Sequence, residues 1–308
     1  MQKLGYILLK IPLWLLSRLP MGFHHAMSGF VCWVMKDLMH YRRDVVLTNI
    51  SRSFPDKKYG EISEIADKFY HHLSDIIVET IWYGGCTNPK RFVKYSPEEM
   101  VNPEVIQKLY DASPAVMVLN SHCGNWEFFG SIRLFPHPEG TPSPFGRDNT
   151  VVVYKRASSA VWDRIIRENR MATVDREDKD NYDGYVETSE FLRYALTNYN
   201  AGRKKIYNMN TDQAPYRLAE KVSVGEFMHQ QTNTMIGSVK LACKKGMSIA
   251  YMNVSCAERG HYRLTFTPIC EDASQCNPLD IMKTYYSLLQ KDIEAQPWNY
   301  LWSHKRWK

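Results

Sequence analysis

Residues 115–130 read AVMVLNSHCGNWEFFG, and the fold of the surrounding chain hangs on how this stretch is read. The apolar run 115–119 is short enough for a strand buried on both faces. A polar corner follows, Asn120-Ser121-His122-Cys123-Gly124, and then Asn125-Trp126-Glu127 opens a helix. Asn is a favoured N-cap, and a glutamate in the first turn suits the positive end of the helix dipole. His122 and Glu127 are five positions apart. On one helix that spacing would turn them well off a common face, at about 100° per residue. With His122 ahead of the helix and Glu127 in its first turn, the chain can fold back and let them meet. The imidazole would then take a proton from an attacking hydroxyl while the carboxylate fixes its tautomer. Backbone N–H groups at the helix start would hold developing negative charge. The same residues also read as a plain helix cap beside a hydrogen-bonded corner, because an H-x4-E spacing often arises by chance.

Working outward, 151–154 is a second buried-strand run, ended by Lys155-Arg156. Residues 205–209 form a third, followed by Asn210-Thr211-Asp212-Gln213. Helical patterns lie between and after them: 160–170, 189–198 closed by Gly202, and 234–245 with Gly246 at the C′ position. This alternation predicts an α/β fold with a mixed, largely parallel sheet flanked by helices. Ligands bind at the carboxyl ends of strands in such sheets, so His122, Lys155-Arg156 and Asp212 are expected to converge on one cleft. Upstream, 61–82 has helical period and stops at Gly84-Gly85, and 92–109 is a mixed strand-and-helix connector. Downstream, 247–254 and 262–266 flank a turn at Glu258-Arg259-Gly260 as a hairpin, and 279–295 is the last long helix. Residues 176–183 read as a charged, solvated stretch. Residues 136–149 hold four prolines and two glycines and form a loop, either a substrate lid or a tolerated surface insertion.

With 308 residues, 44% of them hydrophobic and 13% aromatic, the chain can bury a sizeable core, which excludes a disordered protein. Residues 1–60 carry nine Lys or Arg against three Asp or Glu, a surplus equal to the net charge of +6 for the whole chain. This basic segment overlaps an apolar belt over 4–35, broken by Lys10, Arg18, Pro12 and Pro20. The longest uncharged run, 19–35, is slightly short of the roughly 20 residues a spanning helix needs. Residues 1–40 are expected to anchor the protein at a membrane, as a weak spanning helix or an interfacial one with Lys10 and Arg18 snorkelling out. The remaining alternative is a helix packed on the body. Residues 41–308 would then form one catalytic domain. Seven cysteines without a CxxC pair point to mostly reduced thiols and a cytosol-facing body.

No nucleophile elbow, P-loop, dinucleotide fingerprint or HExxH occurs. Cys123, adjacent to His122, reads as a small buried filler. His24-His25 and His71-His72 read as surface or interface residues, so no metal site is expected.

The block N-S-H-C-G-N-W-E resembles the H-x4-D/E motif of the glycerolipid acyltransferase superfamily. Its G-N-W-E ending looks like the bacterial branch, the late acyltransferases of lipid A biosynthesis. The resemblance extends through Tyr41-Arg42-Arg43, Val153-Tyr154-Lys155-Arg156, Arg170, the corner Asp212-Gln213-Ala214-Pro215, Gln231-Thr232 with Gly237, and the tail Trp302-Ser303-His304-Lys305-Arg306-Trp307-Lys308. It implies an enzyme at the cytoplasmic face of the bacterial inner membrane. Such an enzyme moves a fatty acyl group from acyl carrier protein, or acyl-CoA, to a hydroxyl of a lipid A precursor. His122 would be the general base and Glu127 its partner, with direct attack and no acyl-enzyme. Asn125, Lys155, Arg156, Arg170, Asp212, Gln213 and Arg306 would bind substrate, the cations holding phosphate or phosphopantetheine. Lys155 and Arg156 read equally well as solvated charges, and Asp212 also as a structural cap. No cofactor, metal or nucleic acid is implied. The tail aromatics Trp298, Tyr300, Trp302 and Trp307 suit either a membrane interface or closure of the core. Three other readings stay open: the same chemistry on another lipid acceptor, a hydrolase of acyl thioesters or esters, and a membrane-binding protein without turnover.

Overall fold

A computed structural model describes residues 2–175, 179, 181–216 and 219–307. Half of the charged stretch expected over 176–183, residues 176–178 and 180, lies outside the described residues, as does Lys308.

The frame is a seven-stranded sheet. Its strands are β1 (Glu98–Met100), β2 (Val116–Asn120), β3 (Thr150–Tyr154), β4 (Tyr185–Glu187), β5 (Ile206–Asn210), β8 (Ser248–Glu258) and β9 (His261–Cys270). They lie in the order β1-β9-β8-β2-β5-β3-β4, and every neighbouring pair is parallel except β8 with β9. The fold is therefore mixed α/β with a largely parallel sheet flanked by helices, as the alternation of runs predicts. β2 occupies the middle, and its five residues are all buried. A strand covered on both faces needs apolar side chains on both, which is why Val116–Leu119 is a continuous run rather than an alternating one.

The helices are α1 (Gln2–Ser17), α2 (Met21–Trp33), α3 (Arg43–Ser53), α4 (Tyr59–Tyr83), α5 (Pro89–Tyr95), α6 (Glu104–Ala112), α7 (Ala160–Arg170), α8 (Phe191–Asn200), α9 (Gly237–Lys245) and α10 (Pro278–Ala295). Local chemistry sets their ends. Ser159 and Asn277 accept from backbone N–H groups at the starts of α7 and α10. Gly246 takes φ +60° to close α9. The Gly84-Gly85 stop after α4 has a packing cause. A Cβ on Gly85 would lie 2.2 Å from the carbonyl oxygen of Ser17, and one on Gly84 1.8 Å from Asn169 Oδ1.

Three expectations need correction. The first is the single anchoring helix over 1–40. Pro20, extended at ψ 156°, divides the belt into α1 and α2, of 16 and 13 residues. α2 runs on into a π-helical turn, Val34–Leu38, so the two stretches correspond to about 24 Å and at most about 27 Å of helix against a hydrocarbon core of about 30 Å. Among the described residues no helix is long and apolar enough to cross a membrane. Both helices lie against α4, and α1 also meets α7. Arg91 fastens their junction by donating to the carbonyls of Ser17 and Leu19, each at 2.8 Å. Leu4, Leu8, Leu15, Phe30 and Trp33 are left at least half exposed.

The second is the lid alternative for 136–149, which is a loop as expected and lies partly exposed at the surface. None of its residues lines the cavity that holds His122. Phe145 is buried against Phe266, and the Asn149 side chain bonds Pro144 O and Gly146 N, so the loop is tied to the body. The third is the segment 221–236, whose first half carries no helical or strand assignment in the sequence and whose end reads as the start of α9. It forms an antiparallel hairpin, β6 (Lys221–Phe227) with β7 (Gln230–Met235). Its turn uses positive φ at Met228 and His229, which carry no Gly or Asn signal. Most of the thiols are free and buried or half-buried, as expected: five are unpaired, and Cys270 and Cys276 are joined in a disulfide.

The C-terminal tail closes the core. Trp302 is fully buried, Asn49 Nδ2 holds the carbonyls of Trp302 and His304, and Trp307 Nε1 donates to Thr232.

Candidate active site

Strand register assembles the site. Asn120 of β2 lies directly beside Asn210 of β5, so the chain leaves two adjacent parallel strands at the same level. Two residues later stand His122 and Asp212. Their side chains meet, His122 Nδ1 to Asp212 Oδ1, at 2.8 Å. The carboxylate accepts the Nδ1 proton, which leaves the lone pair on Nε2, and Gln213 Nε2 donates to that atom at 3.1 Å. Asp212 is 2% exposed. Burial alone would raise its pKa, but the facing imidazole, through charge and hydrogen bond, holds it below the usual aspartate value. A buried carboxylate that orients an imidazole and steadies its protonated form is the arrangement a general base needs.

This corrects the partner expected from the sequence. The carboxylate on His122 is that of Asp212. Glu127 instead forms a two-bond pair with Arg170, whose Nε and Nη2 donate at 2.7 and 2.8 Å. Trp126 Nε1 also donates to Glu127, at 3.1 Å, and the Trp126 ring meets the His122 ring edge-on. Burial opposes ionisation of Glu127, and the Arg170 charge overcomes it, so its pKa lies below the usual glutamate value. The helix expected after the corner is a 3-10 helix, Trp126–Leu134, capped by the Asn125 side chain on Glu127 N.

The corner is braced from behind. Gly124, at φ +63°, donates its N–H to Asn299 Oδ1 at 2.8 Å, and a Cβ there would strike Val254. Asn125 is fully buried and donates to Glu79 Oε2, which also accepts from the Tyr262 hydroxyl. Asn125 therefore holds the wall and does not reach the cavity. Glu79 could not be found from the sequence, since it lies 43 residues upstream of His122 on a helix whose apolar period gives it no distinction. Cys123 is buried, as a filler should be, and burial pushes its thiol pKa up.

A cavity of about 560 Å³ opens in front of His122 at the carboxyl ends of β2, β3 and β5. Phe129, Val152, Val153, Phe191, Met209 and Met235 give it an apolar wall, and Glu127, Lys155, Arg170, Gln213 and Glu220 are among its polar groups. Lys155 is exposed at the rim, with Nζ 4.2 Å from the centre of the Tyr216 ring. Arg156 is exposed and does not line the cavity. Arg306 is buried away from it, donating to Asn233 O and the Tyr286 hydroxyl. Of the residues singled out in the sequence, His122, Glu127, Lys155, Arg170 and Gln213 therefore share one space with Asp212 behind them. Asn125, Arg156 and Arg306 stand outside it. No group of three or more His, Cys, Asp or Glu among the described residues is arranged to hold a metal ion. His24, read as a surface or interface residue, is buried and faces Leu16 O, and His72 is buried beside Trp298.

His304 gives the site's surroundings a pH signature. It is half-buried, and its Nε2 accepts from Ala214 N at 3.3 Å. Burial, reinforced by nearby positive charge, lowers its pKa to about 4 from 6.5. Between those values the unfolded chain takes up a proton that the folded chain refuses, so stability falls as pH drops from 6.5 towards 4. Burial lowers His24 and His72 in the same direction. Thermal unfolding followed across this range should show the decline, and His304→Gln should flatten part of it. The carboxylates act lower on the scale: the stability contributed by Asp212 and Glu127 is present above their ordinary values of 3.8 and 4.5 and is lost as pH falls through their lowered ones.

A comparison with curated protein sequences returned no match. The profile of the family described as bacterial lipid A biosynthesis acyltransferase matches residues 1–308, the whole sequence that carries this cleft. The chain belongs to the bacterial lipid A biosynthesis acyltransferase family.

Proposed function

We propose that this protein transfers a fatty acyl group from the thioester of acyl carrier protein, or of acyl-CoA, to a hydroxyl of a lipid A precursor. The observation that carries the mechanism is the orientation of His122. With Asp212 on Nδ1, the basic Nε2 faces the cavity, where Gln213 occupies the place an acceptor hydroxyl would take. The hydroxyl displaces the Gln213 amide, gives its proton to Nε2 and attacks the thioester carbonyl. The tetrahedral intermediate collapses with expulsion of the thiolate, which takes the proton from the imidazolium. The Glu127–Arg170 pair keeps a cation at the cavity wall, next to the developing oxyanion or the anionic end of the donor. Lys155 serves the donor at the rim.

Residues 1–40 are read as the membrane-facing part and 41–308 as the part that does the chemistry. α1 and α2 lie in the interface at the cytoplasmic face of the inner membrane, supported by their exposed apolar side chains and the basic surplus of the first 60 residues. Flotation with anionic vesicles tests this: the protein should rise with the lipid, and Leu8→Glu with Leu15→Glu should leave it at the bottom. The activity itself is tested with purified protein, acyl carrier protein loaded with a fatty acid, and a lipid A precursor. Mass spectrometry should find the precursor heavier by one acyl chain. Release of free fatty acid at a rate indifferent to the acceptor would make the protein a hydrolase, and transfer only to a lysophospholipid would move the acceptor.

A further inference from the structure

A second cavity, of about 320 Å³, lies between α1, α4 and α7, and Trp126 and Glu127 form part of its wall as they do of the cavity at His122. One stripe of α1, from Lys10 to Ser17, and one stripe of α4, from Leu73 to Gly84, line it at helical spacing. Those stripes correspond to about 10 and 16 Å of helix. The walls are mostly aliphatic, with Leu13, Ile77, Ile81, Ile165 and Ile166, and Ser17, Thr80 and Asn169 add a few polar atoms. The two charged residues that reach it are neutralised within the protein, Lys10 by Glu168 at 2.9 Å and Glu127 by Arg170. Its larger, aliphatic part is a good host for methylene groups.

Its two ends say what it accepts. The outer rim carries Trp14 and Trp162, 49% and 45% exposed, and runs into the exposed apolar side of α1. The inner end is Trp126, whose ring contacts His122. We propose that this cleft holds a hydrocarbon chain of the lipid acceptor, a subsite separate from the cavity at the strand ends. The inference rests on the reading of His122 as the site of acyl transfer. The acceptor is the occupant because the cleft opens beside the exposed apolar side of α1, from which a lipid would approach, and only the Trp126 wall separates it from the base its hydroxyl must reach.

The test is photolabelling, which needs no turnover. A lipid A precursor with a diazirine in one acyl chain is mixed with the full-length protein in detergent micelles and irradiated, and labelled peptides are identified by mass spectrometry. Label is expected on peptides from 73–84 and 162–169, in the wild type and in His122→Ala alike. Ile166→Trp fills the cleft and should lower that label about tenfold, the affinity lost when one or two methylenes are kept in water. Ile166→Ala, which leaves the cleft open, should keep it, and Ile77→Trp repeats the block from the opposite wall. Label confined to 152–154 and 191–192, undiminished label in both Trp variants, or preferential labelling of the cleft by a photoreactive acyl donor would overturn the proposal. Transfer activity without label in the cleft defeats this inference alone. Label in the cleft without transfer to any acceptor supports the subsite and defeats the acyltransfer reading.

Discussion

His122→Ala is expected to lower the rate of acyl transfer by about 10³-fold, within the range of roughly 10²–10⁴ that a positioned general base contributes. The loss should appear in kcat. KM for the acceptor should change little, because the walls that hold apolar chains are untouched. Folding should survive as well. The ring is partly open to the cavity, and the strand behind it is held by its own ladder and by Tyr285, whose hydroxyl donates to Asn120 O. A variant that kept the wild-type rate would remove the mechanism, since no other unpaired base is in contact with the same space among the described lining residues.

The second large effect separates the two carboxylates. Asp212→Asn keeps the shape of the side chain but removes the charge that fixes the Nδ1–H tautomer. By analogy with the same change in a Ser-His-Asp triad, the rate should fall by about 10³–10⁴-fold. The expected change in melting temperature is small by comparison. Glu127→Gln should do the opposite. It leaves Arg170, whose side chain is only 19% exposed, without a counter-charge, and breaking a pair that is largely shielded from water costs up to about 3–5 kcal/mol. At about 2–4 °C per kcal/mol, the midpoint should fall by up to roughly 6–20 °C. Paired measurements of kcat and melting temperature distinguish the roles. Loss of rate in Glu127→Gln without loss of stability, beside a fully active Asp212→Asn, would reverse the assignment of the partner.

The reversal of partners between sequence and structure has a simple cause. Glu127 is the carboxylate nearest His122 along the chain, and a local motif can only nominate local partners. Asp212 is 90 residues away, and its position is set by β5 entering the sheet directly beside β2. Periodicity identifies strands but not which strands are neighbours, so the register that brings Asn120 level with Asn210 is invisible until the sheet is built. The tail shows the same limit: Arg306 looks like an anion ligand in a run of cations, yet it is spent on Asn233 and Tyr286 inside the core.

The sequence by itself determined the α/β alternation, the buried strand ahead of His122, the Asn125 cap and the membership in the family. All of these depend on residue type at short range, where propensity, capping and apolar runs act without help. Only the tertiary structure decided that Asp212 rather than Glu127 faces the imidazole, that Asn125 serves the wall, and that the apolar N-terminus bends at Pro20 into two helices, neither long and apolar enough to cross a bilayer. Those outcomes depend on which elements lie side by side. That is settled by burial summed over the whole molecule, which no local stretch encodes.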